Sequence, residues 1–140
     1  MRYFTVPTPP SVNKLFRNVP KIGRVKTKDY KDWIAEATVS ISHQKVDPVR
    51  GRVVVAIAVE RQHKSADIDN RLKALLDVLV STKTIEDDRM VVAIFAAWTD
   101  DRGSGRAAVS LWPADEALQA VYHPDHAGRV GFIVSNVLEQ

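Results

Sequence analysis

The chain of 140 residues contains no cysteine. Disulfide bonds and zinc sites built from thiolates are therefore excluded, and the composition is compatible with a reducing compartment. The chain also lacks any uninterrupted apolar run close to the roughly 18 residues that a membrane span requires, and no long apolar core follows the N-terminal methionine. We therefore expect a soluble, unexported, cytoplasmic protein. A hydrophobic content of 45% predicts a single domain over residues 1–140 with a modest core.

Acidic residues are scarce in the first part of the chain. Residues 1–50 hold ten Lys or Arg against four Asp or Glu, whereas the remaining 90 residues hold ten against thirteen. The segment from Lys14 to Lys31 contains seven bases and a single acid, Asp29. Such a segment, joined to an acidic site, suits a phosphodiester substrate, because the bases hold the backbone while the carboxylates hold a cation. A solvated loop kept soluble by its lysines is the alternative interpretation.

Hydrophobic periodicity predicts a strand at 1–6, an amphipathic helix from about Lys28 to His43 and an interior strand at 52–60. In this strand, RVVVAIAVE, we expect the face with the smaller residues to lie under a helix. Two further strands, at 90–98 and 106–112, are separated by a turn at 101–105, which suggests a hairpin. We expect a helix from Ala114 to about Tyr122.

The stretch SADIDNRLKALLD, residues 65–77, begins another predicted helix with two acids and an amide. At about 100° per residue, Asp69, Lys73 and Asp77 share a face that is separate from the leucines. Carboxylates at i and i+2 can converge at a strand-to-helix bend, and an acid at a neighbouring strand end, such as those of the step at 86–88, can join them. Because clustered carboxylates repel one another, this pattern predicts a divalent cation, Mg²⁺ or Mn²⁺ rather than zinc.

Simpler roles for the same residues are the alternative. Asp67 or Asp69 would cap the helix, Lys73 would pair with Asp69 and Asp77, and the acidic residues at 86–88 would form a solvated turn. Caps and ion pairs require neither an amide directly after Asp-x-Asp nor a lysine aligned with it. The simpler roles therefore leave Asn70 and Lys73 unexplained.

Four motifs occur in order along the chain. They are the opening PPSVNKLFR (9–17), a Lys/Tyr segment leading to a tryptophan (28–33), the signature D-x-D-N-x-x-K-x-x-x-D-x-L (67–79) and an E-D-D step (86–88) before a strand. With these motifs the chain resembles the RusA family of Holliday-junction endodeoxyribonucleases, which is common in phages and prophages. The resemblance covers most of positions 4 to about 112, and the central signature is its most specific part.

The resemblance implies a single-domain α+β fold, in which helices cover a small mixed sheet, and a homodimer that places two sites on a branched DNA. It suggests Asp67, Asp69 and Asp88 as catalytic carboxylates that bind Mg²⁺ (or Mn²⁺), Asp87 as a neighbouring metal-binding acid, and Lys73 as a catalytic cation. The implied activity is resolution of four-way junctions in recombination and repair, leaving 5′-phosphate ends. We expect contacts with DNA from Asn13, Lys14, Arg17, Lys21, Arg24, Lys26, Lys28 and Asn70. Residues 113–140 form a C-terminal extension without an assigned role.

A protein of a different class, one that grips DNA junctions without cutting them, is the competing interpretation. The intact set of carboxylates argues against it, because acids facing phosphate weaken pure binding.

Two other features carry less weight. His123 and His126 have a spacing that suits a metal but lack a third nearby ligand. The three tryptophans lie in apolar periodic runs, and we expect them in the core: Trp33, Trp98 and Trp112.

Overall fold

The computed structural model describes residues 1–100, 103–114, 119–122 and 130–133, the last two ranges by their backbone alone. The elements are β1 (Arg2–Pro7), β2 (Phe16–Val19), β3 (Gly23–Lys26), α1 (Lys28–His43), β4 (Val53–Glu60), α2 (Leu72–Ser81), β5 (Val91–Thr99), β6 (Arg106–Pro113), β7 (Gln119–Tyr122) and β8 (Val130–Ile133). Short 3₁₀ turns lie at Val12–Lys14, Asp69–Arg71 and Asp88–Met90. No helix in these described ranges is long and apolar enough to cross a membrane.

Four strands form a mixed sheet in the order β1-β6-β4-β5. The central strand β4 pairs parallel with β5 and antiparallel with β6. Parallel neighbours need a crossover connection, and α2 provides it between β4 and β5. The predicted α+β fold, in which helices cover a small mixed sheet, is confirmed.

Both helices pack against one face of this sheet. The core joins Val53, Val55, Ile57 and Val59 of β4 to apolar side chains of α1 and α2. The prediction that the smaller face of β4 lies under a helix is therefore wrong. The larger side chains provide the contact area that the helices bury, whereas Val54 on the opposite face belongs to a small separate cluster.

The predicted hairpin between β5 and β6 is also wrong, because β4 lies between these strands. A turn signal indicates that the chain reverses, but it does not select the strand that pairs. The crossover through α2 places β5 on one side of β4, and the antiparallel β6 occupies the other side. A strand that is apolar on both faces, as β4 is, is typical of the interior of a sheet. Such a strand has a neighbouring strand on each edge, here β5 and β6.

Two other segments are strands where the sequence suggested different structures. Residues 16–26, expected as a basic loop, form an antiparallel hairpin of β2 and β3. Residues 119–122, expected as the end of a helix, pair antiparallel with β8. Both stretches contain valine beside aromatic or polar residues, and valine and tyrosine are favoured in strands. His123 and His126 lie outside the described residues.

Candidate active site

The acidic turn, Asp67–Arg71, connects the loop after β4 to α2. Residues 69–71 form a 3₁₀ turn that continues directly into the helix, and no side chain caps either element. Among the described residues, the Asp67 carboxylate accepts a single hydrogen bond, a long one of 3.5 Å from the Asn70 amide. The side chain of the exposed Asp69 makes no hydrogen bond or ion pair with any described residue. The helix-cap interpretation of these two carboxylates is therefore wrong, and both remain accessible to a ligand.

The acidic step, Glu86–Asp88, leads into β5. Asp87 caps the 3₁₀ turn by accepting the Arg89 backbone N–H at 2.9 Å. Its two carboxylate oxygens also accept Nε and Nη2 of Arg89, each at 3.0 Å. These hydrogen bonds from Arg89 hold the pKa of Asp87 far below its ordinary range. Asp88, exposed beside it, is the acid of this step whose oxygens are better placed to bind a ligand.

Lys73 and Asp77 form an ion pair on the exposed side of α2. Lys73 Nζ donates to Asp77 Oδ1 at 2.7 Å, one helical turn away. The other oxygen of the same carboxylate, Oδ2, accepts the Tyr30 hydroxyl at 2.9 Å. The predicted pairing of Lys73 with Asp77 is confirmed, while no ion pair joins Lys73 to Asp69 among the described residues.

A cleft of about 310 Å³ lies between the acidic step, Asp77 of α2 and the basic segment. Its lining includes Lys26 of β3, Tyr30 of α1, Asp77 of α2, and Asp87 and Asp88 of the acidic step. The described lining therefore combines the positive charge of Lys26 with three carboxylates. This arrangement suits a phosphodiester backbone that is held by bases next to a cation bound by acids.

The predicted carboxylates do not form a closed metal cage in the described part of the chain. No group of three or more His, Cys, Asp or Glu side chains there is close enough to hold a metal ion. The donor set nevertheless fits Mg²⁺ in kind, because Asp67, Asp69 and Asp88 offer hard oxygen ligands. Mg²⁺ usually keeps several waters and takes only one or two protein carboxylates together with substrate phosphates.

The basic segment packs beside the acidic turn. The 3₁₀ turn at Val12–Lys14, which carries Asn13, contacts the turn at Asp69–Arg71. Arg71, which is buried, donates Nη1 to the Pro9 carbonyl at 2.7 Å and joins the PPSVNK opening to the signature. Burial lowers the pKa of its guanidinium. The chain thus brings the predicted opening motif and the predicted signature together.

The hairpin of β2 and β3, residues 16–26, is named the basic hairpin here because it carries four exposed bases: Arg17, Lys21, Arg24 and Lys26. Arg24 lies over the Phe16 ring at 4.2 Å from its centroid, and Lys26 lies 5.7 Å from the Tyr30 centroid. Lys14 is exposed as well, whereas Lys28 is already paired with Asp32 at 2.6 Å. All of these predicted DNA-contacting bases lie on or beside the hairpin.

A protein-family model matches most of the chain. The model for endodeoxyribonuclease RusA matches residues 7–111 of the chain. The chain belongs to the RusA endodeoxyribonuclease family. No curated protein sequence is significantly similar to it.

The region matched by the RusA model contains the PPSVNK opening, the basic hairpin, the acidic turn and the acidic step. It ends within β6, so the C-terminal extension at 113–140 lies outside it. This RusA-family protein therefore carries all of its predicted site residues in the matched region.

Sequence reasoning missed two residues of the site, Tyr30 and Arg71. Tyr30 is fully buried in α1, where hydrophobic periodicity predicts a packing role, but its hydroxyl reaches Asp77. Arg71 lies in the signature, yet an arginine in an amphipathic helix is ordinarily expected at the surface. No local sequence signal reveals either contact, because the partners are 47 and 62 residues away.

The tryptophans have the packing roles that their periodic positions predicted. Trp33 is buried and donates Nε1 to the Pro7 carbonyl at 2.9 Å. Trp98 packs against the main core and Trp112 against the small cluster. All three rings thus contribute to packing, Trp33 as a buried residue and Trp98 and Trp112 as partly buried ones.

Proposed function

We propose that this protein is a divalent-cation-dependent endodeoxyribonuclease that cuts four-way DNA junctions in recombination and repair. The observation that carries the proposal is the arrangement around the cleft within a RusA-family chain. Lys26 of the basic hairpin lines the cleft together with Asp88 and with Asp77, which is paired with Lys73. A pure binding protein would gain nothing from uncompensated acids facing phosphate.

Asp67, Asp69 and Asp88 would hold the metal in this proposal, with Asp87 as a neighbouring acid fixed by Arg89. Bound Mg²⁺, or alternatively Mn²⁺, would supply a water of lowered pKa and neutralise charge on the phosphoryl oxygens. Lys73 adds a fixed positive charge against the negative charge that grows on the phosphate in the transition state. The expected products carry 5′-phosphate ends.

The basic hairpin and the PPSVNK opening would hold the DNA. Phosphate contacts position a nucleic acid without reading its sequence. Asn13 and Asn70 carry amides beside the acidic turn that can donate to phosphate or sugar oxygens. We further propose a homodimer, because a two-fold enzyme presents two identical sites to the two equivalent strands of a four-way junction.

A cleavage assay tests the proposal. A synthetic four-way junction and a linear duplex of the same sequence are incubated with protein and Mg²⁺, and parallel samples receive EDTA. We expect nicks in the junction that DNA ligase can seal, little cutting of the duplex, and no cutting with EDTA. Junction binding without cleavage at any Mg²⁺ or Mn²⁺ concentration would instead establish the non-catalytic junction-binding protein.

A further inference from the structure

The carboxylate of Asp77 is held from two sides. Oδ1 accepts Lys73 at 2.7 Å, and Oδ2 accepts the Tyr30 hydroxyl at 2.9 Å. An ordinary exposed i,i+4 ion pair contributes little, because both side chains remain free to sample other rotamers. The second hydrogen bond removes that freedom from Asp77, and Asp77 in turn restricts Lys73.

Tyr30 is itself rigidly placed. It has no exposed surface, its ring meets Phe16 edge to face at 5.8 Å, and it stacks with Trp33 at 6.4 Å. Burial, with a further contribution from the Asp77 hydrogen bond, raises the pKa of Tyr30 well above its ordinary value. The phenol therefore stays protonated and remains a hydrogen-bond donor at any pH at which the protein works. The position of the hydroxyl is set by the core.

We propose that Asp77, anchored by the Tyr30 hydroxyl, is a positioning residue that aims the Lys73 ammonium at the reacting phosphate. This inference rests on the proposed function, in which Lys73 opposes charge on the phosphoryl group. Asp77 and Tyr30 line the same cleft as Asp88, so the hydrogen bond between them lies at the site rather than on a remote surface. A fixed cation lowers the barrier more than a mobile one, because it needs no reorganisation during the reaction.

The test uses Asp77→Asn, Tyr30→Phe and Lys73→Ala, with the double variant Asp77→Asn/Lys73→Ala. Single-turnover cleavage of a four-way junction, junction affinity and thermal unfolding are measured for each. We expect Asp77→Asn to slow cleavage by about 10- to 100-fold, the range typical of residues that orient a catalytic group. Tyr30→Phe keeps the ring packing and should slow cleavage by roughly 3- to 10-fold. Junction affinity should change less than about twofold in both variants, because positioning affects the transition state.

The double variant separates positioning from a merely structural role. If Asp77 acts through Lys73, Asp77→Asn should cause no further loss once Lys73 is Ala. Glu36→Gln is the control, because it removes an exposed carboxylate charge from α1 at a residue that does not line the cleft. Its cleavage rate should equal that of the parent.

Several results would overturn the inference. Losses that multiply in the double variant would show that Asp77 acts independently of Lys73. Faster cleavage or tighter binding by Asp77→Asn would show that Asp77 merely neutralises the lysine. Normal cleavage by Asp77→Asn and Tyr30→Phe, with Lys73→Ala impaired, would reject the positioning role while leaving the proposed function intact. Normal cleavage by Lys73→Ala would reject the role of Lys73 in the proposed function as well.

Discussion

Asp87 and Asp88 are adjacent acids with different surroundings. Asp87 caps a 3₁₀ turn, and both of its oxygens are bonded to Arg89. A carboxylate used in this way has less capacity left for a metal ion. Asp88 is exposed at the cleft and is therefore the better candidate for the metal ligand at this strand end.

Replacement of Arg89 by Gln should raise the pKa of Asp87 towards its ordinary value. A depressed carboxyl pKa contributes stability that is present above the unfolded-state pKa and is lost as the pH falls through the folded-state pKa. Without Arg89 that loss begins at higher pH. Carboxyl ¹³C NMR titration measures the change directly, and Arg50→Gln, which removes only a longer pairing of 3.8 Å with Glu86, is the control. An Asp87 titration that is the same in Arg89→Gln and the parent would contradict this reading.

Site residues that belong to a local sequence signature could be identified from the sequence. Residues whose role depends on a contact with a distant part of the chain could not. Asp67, Asp69, Lys73 and Asp88 follow from spacing and resemblance, because a local signature carries them. The hydroxyl contact of Tyr30 depends on how α1 packs against α2. The sequence pattern contains no information about how close the Tyr30 hydroxyl lies to Asp77. The anchoring of Asp77 is therefore seen only in the three-dimensional structure.

At the N-terminus of α1, one side chain forms hydrogen bonds with both the helix and the PPSVNK opening. Thr27 Oγ1 accepts the Tyr30 backbone N–H at 3.2 Å and donates to the Lys14 carbonyl at 2.7 Å. The same residue therefore caps the helix that carries Tyr30 and fixes the base of the basic hairpin.

Thr27→Ala should lower the free energy of unfolding by about 1 kcal/mol, the usual cost of losing an N-cap. Thr38→Ala is the matched control in the same helix, where Thr38 is exposed. This control should be neutral or slightly stabilising, because alanine has the higher helix propensity. Urea denaturation of the two variants measures the difference, and equal stabilities would remove the capping role from Thr27.

The basic hairpin should account for part of the salt dependence of DNA binding. Replacing Lys21, Arg24 and Lys26 together by Ala should reduce the slope of log affinity against log salt by about 0.9 for each phosphate contact that is lost. A triple replacement of Lys45, Arg50 and Lys83 removes the same charge from outside the hairpin and the cleft. If both triple variants change the slope equally, the hairpin has no special contact with DNA.

Single elements were more predictable from sequence than their pairing. The helix at 28–43 and the strand at 53–60 have strong periodicity, and the structure confirms both almost to the residue. The pairing of β5 and β6 depends on the α2 crossover and on β4, which lies inside the sheet and pairs with a strand on each edge. Those are properties of the whole sheet, so local turn signals at 101–105 could not predict them.

At the scale of the whole molecule, we predict a symmetric homodimer. The edge strand β5 exposes Val92, Ile94 and Phe95 to 38%, 39% and 43%, and such apolar surface is a suitable site for self-association. Light scattering at micromolar concentration, with and without junction DNA, measures the mass. A monomer under both conditions would contradict the dimer.

The metal-binding role proposed for the acidic turn is central to the function, and Asp69→Asn tests it most directly. The Asp69 side chain caps neither the 3₁₀ turn nor α2 and makes no hydrogen bond or ion pair with any described residue, so the variant should unfold at the parental temperature. We predict that single-turnover junction cleavage in Mg²⁺ falls on the order of 100-fold or more, because a charged ligand is lost. Junction binding should persist or tighten as a negative charge near phosphate disappears. Asp47→Asn, outside the site, should cleave normally, and an Asp69→Asn protein that cuts junctions at the parental rate would contradict the account.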